Sequence, residues 1–305
     1  MDALEKIARR LPDEIAGRIA GLGEDVTELR IRRGRRLAVT RLDRRENIGG
    51  GFSINTELDY IVSDSLMDKT LDGLCSHSLY SHMETMNEGY IALPEGYRVG
   101  VAGRAVEEEG KIRHLSEVTA LNIRIPREVP GISGELYERL ARSRFTKSVL
   151  LYSPPNMGKT TILRDLIVRL SSAPALRKVA VIDTRREIET SALALCQNVD
   201  ILSGYPKGKG IEIATRTLSP EYIVCDEIGG TEEAMPLLSA QNCGVPVIAT
   251  AHAAGVNELL LRKNIALLHE AHLFSEYIGI RRLRPGGAPS FSVTVYGEIG
   301  KAGGA

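Results

Sequence analysis

Apolar residues recur at helical spacing from the start of the chain. Leu4, Ile7, Leu11, Ile15 and Ile19 are set among charges across Met1 to Ala20. The pattern predicts an amphipathic helix that breaks or restarts near Pro12, its apolar face better suited to core packing than to membrane docking. A basic strand region and further helical pattern follow, and then a long hairpin. The hairpin runs from Gly89-Tyr90-Ile91-Ala92-Leu93 through Tyr97 to Gly103, turns at Glu107-Glu108-Glu109-Gly110 and returns from Lys111 to Ile125. Leu121, Ile123 and Ile125 alternate with polar residues, as a half-buried strand requires. Pro126 to Gly134 is rich in Pro and Gly and reads as a linker, after which helical pattern resumes over Glu135 to Ala141.

From Lys147 the pattern changes to short apolar runs alternating with helical stretches. Val149 to Tyr152, Lys178 to Asp183, Tyr222 to Asp226 and Val247 to Ala251 read as buried strands, with a helix over Lys159 to Leu170. Continuous apolar strands separated by helices predict βαβ units and a parallel sheet covered on both faces. Tyr277 to Leu283 and Ser290 to Val295 read as a closing hairpin across Pro285-Gly286-Gly287, and the Gly-rich tail as a frayed end. The expected organisation is a mixed α+β domain over 1–140 and an α/β domain over 141–305.

Composition narrows the class without naming a function. The 305 residues are 43% hydrophobic and 26% charged, with 39 basic residues balancing 39 acidic ones. A disordered chain, a collagen-like fibre and a disulfide scaffold are excluded, and net charge points to neither nucleic acid nor membrane. Cys75, Cys196, Cys225 and Cys243 form no CxxC pair and read as reduced thiols, with Cys225 in an apolar run as a core residue. No apolar stretch approaches the roughly eighteen residues of a membrane span, and the N-terminus lacks a secretory leader pattern. A cytoplasmic protein is expected.

The candidate chemistry lies at the strand ends. Ser153-Pro154-Pro155-Asn156-Met157-Gly158-Lys159-Thr160-Thr161 follows a strand and opens a helix, the setting a P-loop needs. Phosphates require backbone N–H groups aimed at them, a helix N-terminus behind them and a cation. Gly158 permits close backbone approach, Lys159 reaches the β- and γ-phosphates, and Thr160 offers its hydroxyl to Mg²⁺. The strict P-loop has glycine at the place of Ser153. Asn156 stands where glycine is frequent, and Asn is the side chain that best tolerates positive φ. Alone, the segment is also compatible with an ordinary strand–turn–helix carrying a solvated lysine.

A second signal joins it. Tyr222-Ile223-Val224-Cys225-Asp226-Glu227 is an apolar strand ending in two carboxylates, the form of a Walker-B strand. There Asp226 holds Mg²⁺ and Glu227 polarises the attacking water; the plainer alternative is a helix N-cap with a first-turn acid. Asp183 and His252 end two further strands facing the same crevice, where ligands of open α/β sheets bind. His252 is expected as a γ-phosphate sensor. Arg216, just before the Walker-B strand, faces either a phosphate or a neighbouring subunit, or makes a surface ion pair. His269, Glu270 and His272 offer only two good metal ligands, so metal binding is disfavoured. Arg30, Arg32, Arg33, Arg35, Arg36, Arg41, Arg44 and Arg45 form a basic cluster. With few aromatics beside it, a solvated or subunit-contacting face is preferred over a nucleic-acid platform.

These residues together resemble the stage III sporulation protein AA family of endospore-forming bacteria, related to the ATPases of type II and type IV secretion. The resemblance spans nearly the whole chain. It is carried by Gly96 to Arg104, Leu121 to Ile125, Ser153 to Thr161, Val181 to Ile188, Arg216 to Gly229 and Ala249 to His252. It implies a RecA-like P-loop NTPase domain of the secretion-ATPase type behind a smaller mixed α+β domain. It also implies ATP as the nucleotide, with Mg²⁺, and a motor or assembly ATPase that works as a hexameric ring. The expected partners are membrane-embedded channel proteins of the sporulating mother cell, met from the cytoplasm or the membrane periphery. Ser153 fits the family pattern. Asn156 and Thr184 depart from it, and the missing acid at 184 implies slower hydrolysis with binding intact. By analogy Arg98 or Arg104 contacts nucleotide from the N-terminal domain; a structural salt-bridge role for either is the equal alternative. A nucleic-acid-associated ATPase and a nucleotide-responsive assembly module with little turnover remain as alternatives.

Overall fold

The computed structural model of the protein describes residues 3–23, 25–42, 53–76, 78–126, 128–155, 157–230, 232–282 and 289–295. The chain divides into two compact units, Met1–Arg127 and Glu128–Ala305.

In the first unit α1 (Ala3–Ala8) and α2 (Asp13–Ile19) take up the N-terminal helical pattern, and Pro12 stands at the N-cap of α2, where the chain restarts. Strands β1 (Val26–Arg32), β2 (Arg36–Leu42) and β3 (Ser53–Ile61) lead to α3 (Asp64–Leu74), capped by the Ser63 hydroxyl on the Leu66 N–H. The short α4 (Met83–Asn87) precedes β4 (Tyr90–Ala92), β5 (Arg98–Glu108) and β6 (Lys111–Arg124). The six strands form one sheet in the order β3-β2-β1-β6-β5-β4, and every neighbouring pair is antiparallel. Leu29, Ile31, Val39, Val99, Leu121 and Ile123 line one face and share a core with Leu4, Ile7, Leu11, Ile15 and Ile19. The predicted amphipathic face therefore buries against this sheet.

The β5–β6 hairpin closes on Glu109 and Gly110, both at positive φ (53° and 77°), the backbone a two-residue hairpin turn demands. A bulge at Ala102/Gly103 brings the strands so close that a Cβ on Gly103 would lie 1.9 Å from the Glu117 carbonyl oxygen. Only glycine fits there. The basic cluster is largely ion-paired: Arg33 with Asp68 at 2.7 Å and Asp64 at 3.2 Å, Arg36 with Asp59 at 2.6 Å, and Arg41 with Asp25 at 3.3 Å. Arg44 and Arg45 lie outside the described residues. Arg98 stacks over the Tyr90 ring at 4.2 Å, and Arg104 pairs with Glu117 at 3.2 Å.

The second unit opens with α5 (Gly134–Arg142), whose Leu136, Tyr137 and Leu140 pack in its core. The preceding Pro/Gly-rich segment is not a free tether. The backbone N–H groups of Gly131 and Ser133 donate to Asp165 at 2.9 and 2.8 Å. Next come β7 (Val149–Ser153), α6 (Lys159–Ser171), β8 (Val179–Asp183), α7 (Ser191–Ala194), β9 (Val199–Ser203) and α8 (Lys207–Ile213). The chain continues through β10 (Tyr222–Cys225), α9 (Ala234–Asn242), β11 (Val247–His252), α10 (Val256–Leu260) and α11 (Lys263–Glu270) to β12 (Glu276–Arg282) and β13 (Pro289–Val295). Its seven strands are ordered β13-β12-β7-β11-β10-β8-β9. All pairs are parallel except β12 with β13.

The four predicted strands form the middle of this sheet. Two features were not read from the pattern. β9 is an edge strand with alternating burial, and Val199-Asp200-Ile201-Leu202 is too short and mixed to stand out. β12 is more than a hairpin arm, because it runs parallel to β7. The turn at Pro285-Gly286-Gly287 and the tail lie outside the described residues.

Successive side chains of the central strands enter opposite cores. Leu150, Tyr152, Ile182, Ile223, Cys225 and Ala249 face one; Val149, Leu151, Val181, Tyr222, Val224 and Ile248 face the other. This two-sided burial explains the unbroken apolar runs. Cys225 is fully buried, and burial pushes its thiol up to about 12. Among the described residues no helix is long and apolar enough to cross a membrane.

Candidate functional site

The carboxyl ends of β7, β8, β10 and β11 carry the candidate residues. β7 ends at Ser153, which is buried and pairs in register with His252 at the end of β11. Pro154 and Pro155 are exposed, and Met157 is half-buried. Asn156 lies outside the described residues. Gly158 caps α6 in the left-handed region, at φ 90°, a conformation that side chains resist. The chain thereby turns from strand to helix and places Lys159, Thr160 and Thr161 in the first turn of α6.

Lys159 is 6% exposed. Its ammonium donates to the Ser153 carbonyl at 3.0 Å, the Ser153 hydroxyl at 3.2 Å and the Pro154 carbonyl at 3.2 Å, and lies 2.9 Å from His252 Nδ1. Burial pushes its pKa down, while the charges of Asp226 and Glu227 pull it up. A buried cation held by neutral oxygens behind a helix N-terminus is suited to receive a multiply charged anion.

One hydroxyl binds each oxygen of the Asp226 carboxylate. Thr160 donates to Oδ2 at 3.1 Å, and Thr250, wholly buried in β11, donates to Oδ1. Thr250 also accepts the Glu227 N–H at 2.8 Å. Among the described residues no three His, Cys, Asp or Glu side chains form a metal-holding group. A carboxylate bound to a threonine hydroxyl is instead the sparse oxygen set that Mg²⁺ uses when phosphates complete its shell. Thr160 and Asp226 thus fit that ion.

Glu227 sits at positive φ (48°). Its carbonyl oxygen accepts from Lys207, its Oε2 accepts from Arg185, and its Oε1 lies 3.7 Å from His252 Nε2. Lys207 also pairs with Glu233 at 3.2 Å, and Glu233 accepts the N–H groups of Gly229 and Gly230 at 2.8 and 3.0 Å. The loop after β10 is therefore tied down at several points.

The structure brings Lys159, Thr160, Asp226, Glu227 and His252 into one connected group. Arg216 is not in it. It is exposed on a single π-helical turn, Ala214–Leu218, and makes no hydrogen bond or ion pair among the described residues. Asp183 also differs from the expectation of a polar group in the crevice. It is 1% exposed, and its carboxylate accepts the N–H groups of Glu187, Ile188 and Glu189 at 2.8, 2.8 and 3.2 Å. Its oxygens are spent on its own loop. Thr184 is exposed. His269 is occupied structurally, with Nδ1 2.8 Å from the Tyr277 hydroxyl. Sequence reasoning passed over Arg185, Lys207 and Thr250. An arginine pair in a polar loop, a helix-start lysine and a strand threonine carry no spacing signal; only Thr250, two residues before His252 on the same strand, had a position that could have flagged it.

The fold is that of secretion-type P-loop ATPases. It matches the pilus retraction motor PilT, solved with bound ADP, at a TM-score of 0.62 and 15% identity, covering 99% of this chain and 87% of PilT. The ATPase DotB of Yersinia pseudotuberculosis matches at 0.60 and 14% identity, covering 94% and 80%. The stage III sporulation protein AA of Bacillus subtilis is 30% identical over 300 residues, 94% of each chain. The sporulation stage III, protein AA family matches residues 7–301, so the chain belongs to that family.

Proposed function

We propose that the chain is a Mg²⁺-dependent ATPase that converts hydrolysis into subunit movement within a sporulation channel or secretion-like complex. The observation that carries this reading is the connected group Lys159–His252–Glu227 beside Thr160–Asp226–Thr250, at the ends of neighbouring strands. Lys159 and the backbone of Ser153 to Thr161 bind the phosphates, and the first turn of α6 turns its N–H groups toward them. Thr160 and Asp226 hold Mg²⁺, which neutralises phosphate charge when bound. Glu227 orients water and accepts its proton, and His252 reports the γ-phosphate to Glu227. Arg216, exposed and without an ion pair among the described residues, supplies positive charge to the site of a neighbouring copy in a ring, a hexamer by analogy with the secretion ATPases. PilT, alike in fold, is a motor crystallised with ADP, which supports nucleotide-driven movement here. The partners on this reading are membrane-embedded channel proteins approached from the cytoplasmic side.

The test is phosphate release from ATP with Mg²⁺, measured over a range of protein concentrations. Wild-type release should rise more than proportionally with protein. Lys159→Ala should weaken ATP binding about a hundredfold or more. Glu227→Gln should keep binding and lose turnover; undiminished hydrolysis in that variant removes Glu227 from the mechanism. Thr184, exposed where the family resemblance implies an acid, favours a second reading, a nucleotide-responsive assembly module. ATP-dependent assembly without phosphate release would select it.

A further inference from the structure

Glu227 is held by more groups than its strand end requires. Its N–H is fixed by Thr250 at 2.8 Å and its carbonyl by Lys207, at a backbone conformation that a glutamate adopts only when held. Arg185, which binds Glu227 Oε2, stands on an equally fixed loop. Asp183 collects three N–H groups from residues 187 to 189, and its carbonyl accepts from Arg186 at 3.3 Å and Gly204 at 3.0 Å. Arg164, 8% exposed on α6, donates from Nε to the Glu187 carbonyl at 3.1 Å and again from Nη2. Both roots of the Arg185–Glu227 pair are thus rigid.

The pair itself adds little to stability. The Arg185 side chain is 58% exposed and that of Glu227 34%, and water screens pairs so exposed until they contribute little to stability. Two rigid supports for a weakly stabilising contact imply a purpose other than folding. Among the described residues the other basic side chains around Glu227 are Lys207, on its backbone carbonyl, His252 and, beyond it, Lys159, which must serve the phosphates.

We infer that Arg185 is a positioning residue for hydrolysis: it holds Glu227 by Oε2 and leaves Oε1, on the His252 side, to engage water. The inference rests on the ATPase reading given above. Arg185 thereby fixes the direction of the Glu227 carboxylate. Arg164 and Asp183 act through it by holding its loop against the helix that carries the P-loop.

The experiment uses the full chain and four variants: Arg185→Ala, Arg185→Lys, Glu227→Gln and the Arg185→Ala/Glu227→Gln double. Steady-state phosphate release gives kcat and KM, and a fluorescent ATP analogue gives Kd. Arg185→Ala should lower kcat by about ten- to a hundredfold with KM and Kd within about twofold, the loss expected when a reacting group is misplaced. Arg185→Lys should recover most of that loss. In the Glu227→Gln background Arg185→Ala should cost nothing further. An unchanged or raised kcat overturns the inference, as does a raised KM at constant kcat or an undiminished loss in the Glu227→Gln background. If the wild type releases no phosphate, the ATPase reading fails separately. Thermal unfolding of the same four variants then decides the pair: non-additive midpoints support it, and additive ones overturn it.

Discussion

The ends of β8 and β10 are built from the same materials and do opposite things. Each is an apolar run that leads into an aspartate, and the two strands are parallel neighbours, with Cys225 opposite Ile182. Asp183 turns into its own loop, buried under three backbone N–H groups. Asp226 stays half-buried and binds side-chain hydroxyls from two other elements, Thr160 of α6 and Thr250 of β11. A carboxylate that accepts backbone N–H groups is committed, because releasing them leaves buried donors unpaired. A carboxylate held by hydroxyls can exchange them, since a hydroxyl rotates and can itself become a ligand. Strand ends of the same form thus yield one loop clamp and one chemical group.

Four experiments break or sharpen this contrast. The largest effect is expected from Asp226→Ala, which should lower Mg²⁺-dependent phosphate release by about 10²- to 10³-fold while moving the thermal midpoint by no more than about 3 °C. A large stability loss without an activity loss would reverse the assignment of the two aspartates. Asp183→Ala should do the converse first. It strips three N–H groups of their acceptor and should cost about 3 kcal/mol in urea unfolding. Arg164→Met removes the donor to the Glu187 carbonyl and should cost about 1–2 kcal/mol, with turnover falling alongside as the Arg185 loop loosens.

The smallest effect is the pH dependence of Asp183. Burial raises its carboxyl above the ordinary 3.8, against the lowering effect of its three N–H partners. A raised folded value means that the folded state holds its proton longer than the unfolded chain. The contribution is therefore full below pH 3.8 and is lost as pH rises through the folded value. Relative to Asp183→Asn, which has no such proton, the wild type should lose unfolding free energy over that window. An unchanged difference between the two across it would show that the carboxyl is not raised.

Much of the site was legible because its residues lie in short runs with fixed geometry. A Gly-Lys-Thr run opening a helix after an apolar strand can place its cation and hydroxyl in only one way. An apolar strand ending in Asp226-Glu227 delivers both carboxylates to the carboxyl end of the sheet. The rest was not legible because its partners are far apart in sequence. Arg185 meets Glu227, and Thr250 meets Asp226, only because β8, β10 and β11 lie side by side. Asp183 looked like a ligand of the crevice for a related reason. Its end use depends on the path of residues 184 to 189, which no periodicity describes.

The order of hydrophobic and polar residues determined the long secondary elements, though not the short edge strand β9, and with them the two-sided burial of the second sheet and the one-sided burial of the first. These follow from periods of two and of about 3.6 residues, which local sequence sets directly. Strand neighbourhood is set otherwise, by which crossovers pack helices onto a twisted sheet. That packing alone gave Asp226 its two hydroxyls, closed Asp183 onto its loop and set Arg185 against Glu227.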